Sequence, residues 1–485
     1  MAGIRRRIAG LAILGMVGLA TSPMPPARAA PFPGLTDVAI ENLLAPTPEP
    51  LGALPDDPTG ALANAVVAFG AKLGVPIHPQ SALAAAHLDA KLAGRLALLL
   101  GQLAACHDAT AHLLVALPPP LSAFFDEDAT SPALPGAAVR AIRVCADRVQ
   151  RGGLELERFL AAAPADLGGD VELWPVLRLD NTGHDDVVVN DYVLSVDRGG
   201  NDSYFNNAGG NAIDVRRGPA GSGAPETGPA HGCVNPAYDL GDAQCVLSAS
   251  LLLDMAGDDT YGRMEPPEKD ADAICTDESL VHRVLTIGAG FAGVGILIDA
   301  SGNDTYVGKT VTEGAGHLGG VGILRDEAGD DTYLAMRLSK GFGILGGVGV
   351  VHDLAGNDRY LYYMPGALDP SAPYKTPGSG GGLSTTGLCD NEPRWDEGTG
   401  VAGGVGVLLE DAGDDVYQAG PPIDHLLGTT QPLRHTGSLG WGDLDGFGLM
   451  IDRSGHDRYS GVPGRADGKT LMPSVESTGI FIDQD

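Results

Sequence analysis

Pairs of aspartates recur along this chain, each pair followed by a tyrosine, in the pattern Asp-x-x-Gly-x-Asp-x-Tyr. Full copies run from Asp197 to Tyr204, Asp254 to Tyr261, Asp299 to Tyr306, Asp326 to Tyr333, Asp353 to Tyr360 and Asp452 to Tyr459. Glu410 to Tyr417 begins with Glu, Asp180 to Val187 lacks the Tyr, and Gly479-Ile-Phe-Ile-Asp483 opens a ninth copy. If equivalent residues stack, unit charges about 4.8 Å apart repel by about 0.9 kcal/mol in water and several times that at a dielectric of about 20. Two chemistries would offset this. Calcium is a hard cation that takes carboxylate and carbonyl oxygens. Its candidate ligands are Asp197, Asp202, Asp254, Asp259, Asp299, Asp304, Asp326, Asp331, Asp353, Asp358, Glu410, Asp415, Asp452 and Asp457. Alternatively the Asp side chains accept hydrogen bonds from turn amides as Asx caps. Both can operate together.

The elements that position these residues follow from the spacing. Asp299, Asp326 and Asp353 are 27 residues apart. Each is preceded by a short apolar run, Gly293-Val-Gly-Ile-Leu-Ile, Gly320-Val-Gly-Ile-Leu-Arg and Gly347-Val-Gly-Val-Val-His. These runs read as strands, and the Gly of Asp-x-x-Gly with the following Asn303, Asp330 or Asn357 reads as a sharp turn. A fixed period of this kind implies stacked units. The expected fold is mainly β: a parallel β-solenoid of about eight to nine coils, on the order of 40 Å long, with an N-terminal α-helical domain. The helices are expected to cover one open end, because exposed sheet edges invite aggregation.

At Gly302-Asn303-Asp304-Thr305-Tyr306-Val307-Gly308 and Gly329-Asp330-Asp331-Thr332-Tyr333-Leu334 the chain resembles the haemolysin-type (RTX) calcium-binding repeats. The shared part is the Gly-x-Asp-x-hydrophobic half of that nonapeptide. The resemblance implies a calcium-binding parallel β-roll with Asp304, Asp331, Asp358 and Asp457 as ligands. It covers about eight residues in each unit. The period of 27 replaces the family's uninterrupted tandem nonapeptides, and the first Asp of each copy is not required by that motif.

Gly288-Ala-Gly-Phe-Ala-Gly293, Gly314-Ala-Gly-His-Leu-Gly319, Gly341-Phe-Gly-Ile-Leu-Gly346 and Gly398-Thr-Gly-Val-Ala-Gly403 spell Gly-x-Gly-x-x-Gly. A dinucleotide fingerprint needs a strand before and a helix after; here the pattern recurs with the repeat, and close backbone packing at a coil corner explains it. Tyr204, Tyr261, Tyr306, Tyr333, Tyr360, Tyr417 and Tyr459 are expected to stack as a core ladder rather than an exposed sugar platform. Inserted stretches at about 205–248, 262–286, 361–397 and 418–436 lengthen four of the repeats. Stacking would project them from one side of the rod, as binding loops often are. Arg394, Trp395, Glu397 and His425 are the ligand-binding candidates there, with His231, Tyr238, Asp396, Asp424 and His435 as further polar loop residues.

Composition bounds the rest. Lys and Arg number 31 against 62 Asp and Glu, a net charge of −31, which excludes a phosphate backbone as an ordinary partner. Residues 1–30 read as a secretory signal peptide: Arg5–Arg7, the apolar run Ile8–Ala20, then Ala27-Arg28-Ala29. No later run is long enough to span a bilayer. Residues 31–165 read as helical, with one helix over Ser81–Leu117 and another over Gly136–Ala163, and the repeat domain spans 174–485. His107 and His112 are five apart and share no helical face; they read as surface histidines. Six cysteines in an exported chain point to disulfides, with Cys106–Cys145 and Cys233–Cys245 as the proximity pairs. The catalytic residues are not legible: no nucleophile elbow or zinc spacing is present. The expectation is a secreted or surface-bound bacterial protein, calcium-binding and structural or adhesive, meeting cell-surface carbohydrate or protein. A polysaccharide-active lyase or hydrolase, with its site in the inserted loops, is the alternative.

Overall fold

A run of three or four apolar residues behind each first Asp forms the longest strands of the chain. In the computed structural model they are Ala249–Asp254, Val294–Asp299, Val321–Asp326, Val348–Asp353, Val405–Glu410 and Phe447–Asp452. The model describes residues 37–115, 134, 136–214, 244–246, 249–262, 285–308, 311–335, 338–362, 397–418, 439–443, 445–460, 464–474 and 477–484. The signal-like segment and most of the inserted stretches lie outside these residues.

The protein is mostly parallel strands in sheets, with a few helices. The long strands pair in parallel and in register: Asp299 faces Asp326, which faces Asp353, then Glu410 and Asp452. Asp180, Asp197 and Asp254 extend the row at one end and Asp483 at the other. The sheet has 11 strands, and its two outermost, Val171–Leu173 and Thr470–Leu471, are antiparallel. The Tyr segments form a second parallel sheet of eight strands, with Thr305–Val307 against Thr332–Ala335. Two-residue strands within the Gly-rich motif, such as Gly290–Phe291 and Gly316–His317, make a third sheet of five. Among the described residues, each of the five repeats from Asp299 to Asp452 therefore contributes one strand to each sheet.

Side-chain size sets how closely the sheets approach. On the long strand Gly295, Leu297 and Asp299 share one face. A Cβ on Gly295 would lie 2.0 Å from the carbonyl oxygen of Ala289 in the corner motif, and Gly322, Gly349, Gly406 and Gly448 meet the same obstacle at 2.0 to 2.1 Å. The recurring Gly-x-Gly is thus a packing requirement, and no helix follows it. The corner also turns through left-handed backbone at Glu313, Lys340 and Glu397.

The helices are α1 (Val38–Leu44), α2 (Pro58–Lys72), α3 (Gln80–Ala86), α4 (Ala90–Val115) and α5 (Gly136–Ala162). The helix expected over Ser81–Leu117 is broken: His87 is left-handed, and Asp89 Oδ1 then accepts from the amides of Lys91 and Leu92 to start α4. Leu92, Leu96, Leu99 and Leu103 of α4 are fully buried. Cys106 is disulfide-bonded to Cys145, joining α4 to α5. Cys233, Cys275 and Cys389 lie outside the described residues. His107 is 6% exposed and packs on Phe69, contrary to the surface position expected, because the Leu face of α4 carries it inward. Burial lowers its pKa. Among the described residues no helix is long and apolar enough to cross a membrane.

The described helices cover a face of the long-strand sheet as well as touching its end: α3 meets the outermost strand Val171–Leu173, while α5 lies across the sheet, touching Ala249–Asp254, Val294–Asp299 and Val321–Asp326. Its Gly153 packs against Leu251 and Ile298. The physical reason is that the long strands are apolar on both faces, and all six residues of Val294–Asp299 are buried. Each fully covered Ile or Leu contributes roughly 1.5–3 kcal/mol, so a broad apolar face outweighs a narrow polar edge as the docking place. Helices and repeats accordingly belong to one compact unit, Asp37–Asp485.

The inserted stretches leave at two junctions. Those before Leu285, Glu397 and Leu439 lead into the corner. The first instead follows it: Ala208 already accepts from Gly288 N in the corner ladder, and the chain passes outside the described residues only at 215. An extra loop is tolerated at either end of a two-residue strand.

A candidate cation centre built from paired carboxylates

Parallel register stacks the seven tyrosines. Successive rings from Tyr204 through Tyr261, Tyr306, Tyr333, Tyr360, Tyr417 and Tyr459 lie 4.6–5.0 Å apart and within 7° of parallel. The first six rings are fully buried, so the ladder is core. Each hydroxyl donates to the first carboxylate of the next repeat: Tyr204 to Asp254, Tyr261 to Asp299, Tyr306 to Asp326 and Tyr333 to Asp353, all at 2.6 Å. Tyr360 reaches Glu410 and Tyr417 reaches Asp452 at 2.7 Å, and Tyr459 reaches Asp483. Burial, then the adjoining carboxylates, holds the Tyr306 and Tyr333 hydroxyls well above their ordinary pKa. The other oxygen of the first Asp caps its own turn: Asp299 accepts from Ser301 N, Asp326 from Ala328 N and Asp353 from Ala355 N, each at 3.2 Å. The Asx-cap alternative is realised at these three, whereas Asp254 Oδ1, Glu410 Oε1 and Asp452 Oδ1 of the same column have no donor.

The second Asp of each repeat behaves differently. Its Oδ1 accepts from the backbone amide of the second Asp one repeat earlier, at 2.5–2.7 Å from Asp202 to Asp457. Its Oδ2 has no donor. This holds for Asp202, Asp259, Asp304, Asp331, Asp358, Asp415 and Asp457 alike. From Asp202 to Asp415 these residues are at most 2% exposed.

The two columns meet inside each repeat. Asp304, Asp326 and Asp331 each offer an oxygen within 4.8 Å of the others, as do Asp259, Asp299 and Asp304, or Asp331, Asp353 and Asp358. Such buried clusters have the spacing to hold a metal ion. The inner oxygen of the second Asp, without a donor, is free to ligate, and an all-carboxylate donor set suits a hard cation. Burial, then the Asp299 charge, pushes Asp304 up to about 11. Burial, then Asp326, does the same to Asp331, also to about 11. Asp358 rises to about 10, from burial and then Asp353. The first column rises less: Asp299 to about 7 and Asp326 to about 8, from burial and then the next Asp in the row.

Two features carry no motif in the octet. The residue before each second Asp forms a third ladder at the surface: Asn201, Asp258, Asn303, Asp330, Asn357 and Asp414 alternate in type. Asp258 Oδ1 accepts from Asn303 N, Asn303 Oδ1 from Asp330 N, and Asp330 Oδ1 from Asn357 N. Alternation keeps like charges from adjoining, and it was readable in the sequence as an Asn/Asp stripe. The other feature is Arg178. The first repeat has one extra residue in its turn, so Val188 rather than Val187 faces Tyr204, and Asp186 rather than Asp185 matches Asp202. No phenol reaches Asp197 from below; Arg178 Nη1 donates to it at 2.6 Å and Nη2 to Asp186 at 2.9 Å. Burial works against its charge, but Asp197, Tyr204 and Asp186 together outweigh it and hold the guanidinium pKa above the ordinary value. The signal for it was a lone Arg in an otherwise apolar strand of the repeat that lacks a Tyr.

Of the loop candidates, Arg394, Trp395 and His425 lie outside the described residues, as do His231, Tyr238, Asp396, Asp424 and His435. Glu397 is 1% exposed, at the corner rather than in a loop, with Lys340 Nζ 3.8 Å away. Comparison with protein-family models, with curated proteins and with solved structures gives no match.

Proposed function

We propose that this chain is an exported parallel β-solenoid of eight to nine coils, structural or adhesive at a bacterial surface, whose paired carboxylates hold calcium along its length. The observation that carries the reading is the inner oxygen of the second Asp, buried and without a donor in seven successive repeats. The second Asps, from Asp202 to Asp457, would be the main holders, because every one of the seven keeps an oxygen without a donor, whereas in the first column only Asp254, Glu410 and Asp452 do. Calcium would supply positive charge between stacked carboxylates, no more. The scaffold would present the inserted stretches to cell-surface carbohydrate or protein. Titrating calcium into chelated protein should raise its melting temperature, since a ligand of the folded state alone stabilises it. An unchanged temperature in millimolar calcium sinks the metal half of the proposal. Recovery of the processed chain in the cytoplasmic fraction would end the export half.

A second reading is favoured by the closeness of Asp304 to Asp299, which offer carboxylate oxygens within 4.8 Å of each other. Buried carboxyls this close can be neutralised by sharing a proton. Protons, rather than calcium, would then neutralise the columns, and stability would follow pH with no response to the ion.

A further inference from the structure

Among the described residues the edge of the Tyr-bearing sheet at the first repeat is open. There Val187–Val188 pairs only with Ser203–Tyr204 and ends the eight-stranded order. Asp186 O and Val188 O accept from Ser203 N and Phe205 N. Strand alternation therefore turns the amides and carbonyls of Val187 and Val189 the other way. Their side chains are 66% and 61% exposed, among the most exposed large apolar residues described. The long-strand sheet is closed at the same end by the antiparallel strand Val171–Leu173. Between that strand and the open edge lies a cavity of about 440 Å³. Asp170, Glu172, Asp180 and Asp186 line it, against a single cation, Arg178. Arg178 is committed to Asp180, Asp186 and Asp197. The cavity thus keeps a surplus of negative charge beside unsatisfied strand groups.

We propose that this edge takes up an extended basic segment of another protein by strand addition. The segment's backbone would pair with Val187 and Val189, and a Lys or Arg side chain would enter the cavity. Main-chain hydrogen bonds supply the affinity in this mode, and the pocket supplies the selection. Charge complementarity decides the occupant: four carboxylates and one guanidinium favour a cationic side chain and disfavour an acidic one. The inference stands apart from the calcium reading and survives its failure, because none of the orphaned Asp oxygens takes part.

The test uses the whole protein and a synthetic hexapeptide alternating valine and lysine, with a valine–glutamate hexapeptide and spermidine as controls, followed by titration calorimetry. The lysine peptide should bind, and more weakly as salt rises. Val189→Pro removes an outward amide without touching the pairing to Ser203–Tyr204, and should weaken binding by about tenfold or more. Val187→Lys should weaken it too, by placing like charge on the edge, and serves where the proline variant melts early. No binding of the lysine peptide, equal binding of the glutamate peptide, or unchanged affinity in both variants would each overturn the proposal. Spermidine binding as tightly as the peptide would also overturn it, because the cavity would then be selecting charge without the strand.

Discussion

The central repeats and the first repeat solve the same electrostatic problem with different groups. From Asp299 to Tyr360, each first carboxylate receives a phenol from the repeat before, and each second carboxylate keeps an oxygen that no donor reaches. At the first repeat a buried Arg stands where the phenol is missing and ties Asp180, Asp186 and Asp197 together. A stack can leave its middle to small mobile cations, because every repeat offers the same cluster. An end has no further repeat to donate to it, so it needs a covalently attached charge. In the middle, burial and then the neighbouring carboxylates push Asp304 and Asp331 up to about 11; at the end the protein supplies its own cation, Arg178.

The comparison can be broken most forcefully by pH. The folded pKa values of the central acids lie above their unfolded values, so the folded state binds more protons. Their stabilisation is fully present below about pH 4. It is lost as pH rises through about 7 for Asp299 and about 11 for Asp304. In chelated protein the melting temperature should fall by about 10 °C or more between about pH 5 and about pH 9. Calcium must displace those protons, so its stabilising effect should grow over the same range. A flat profile without calcium would erase the contrast between middle and end.

Arg178→Met attacks the end alone. It strands three buried or half-buried carboxylates, and removing one partner of a buried ion pair costs about 3–5 kcal/mol. Calcium should not rescue it; rescue measured by thermal melting would mean that the two regions are interchangeable. Next in size is Gly322→Ala, whose Cβ would meet the Ala315 carbonyl at 2.1 Å. A loss of about 1–3 kcal/mol in denaturant unfolding is expected. Tyr333→Phe removes the phenol that Asp353 accepts, and should cost about 1–3 kcal/mol, less at low pH where Asp353 can carry a proton. The smallest effect belongs to Asp330→Asn on the exposed ladder. Its Oδ1 can still accept from Asn357, so a change within about 0.5 kcal/mol is expected.

Much of the repeat was readable in one dimension. The period of 27 placed the long strands, and parallel stacking of the Asp and Tyr columns follows from equal spacing. The Cys106–Cys145 bond followed from proximity along two helices. Other features were hidden because they depend on neighbours remote in sequence. Nothing in the sequence of α5 says that Gly153 meets Ile298, and the apolar outward face of the long strands shows only once the sheet is assembled. The extra residue in the first turn is invisible in an octet that still matches at Asp180, Gly183 and Asp185.

Sequence by itself determined the octet, its period, the glycine at each tight approach and the acidity of the columns, because each depends on residue type and spacing along one strand. Tertiary structure decided which oxygen of each Asp is satisfied, since the donors from neighbouring repeats, a tyrosine hydroxyl and an amide, are 16 to 57 residues away. It also decided that Arg178 closes the ladder and that α5 lies across a face of the long-strand sheet. Those outcomes depend on burial and three-dimensional adjacency, which local pattern does not encode.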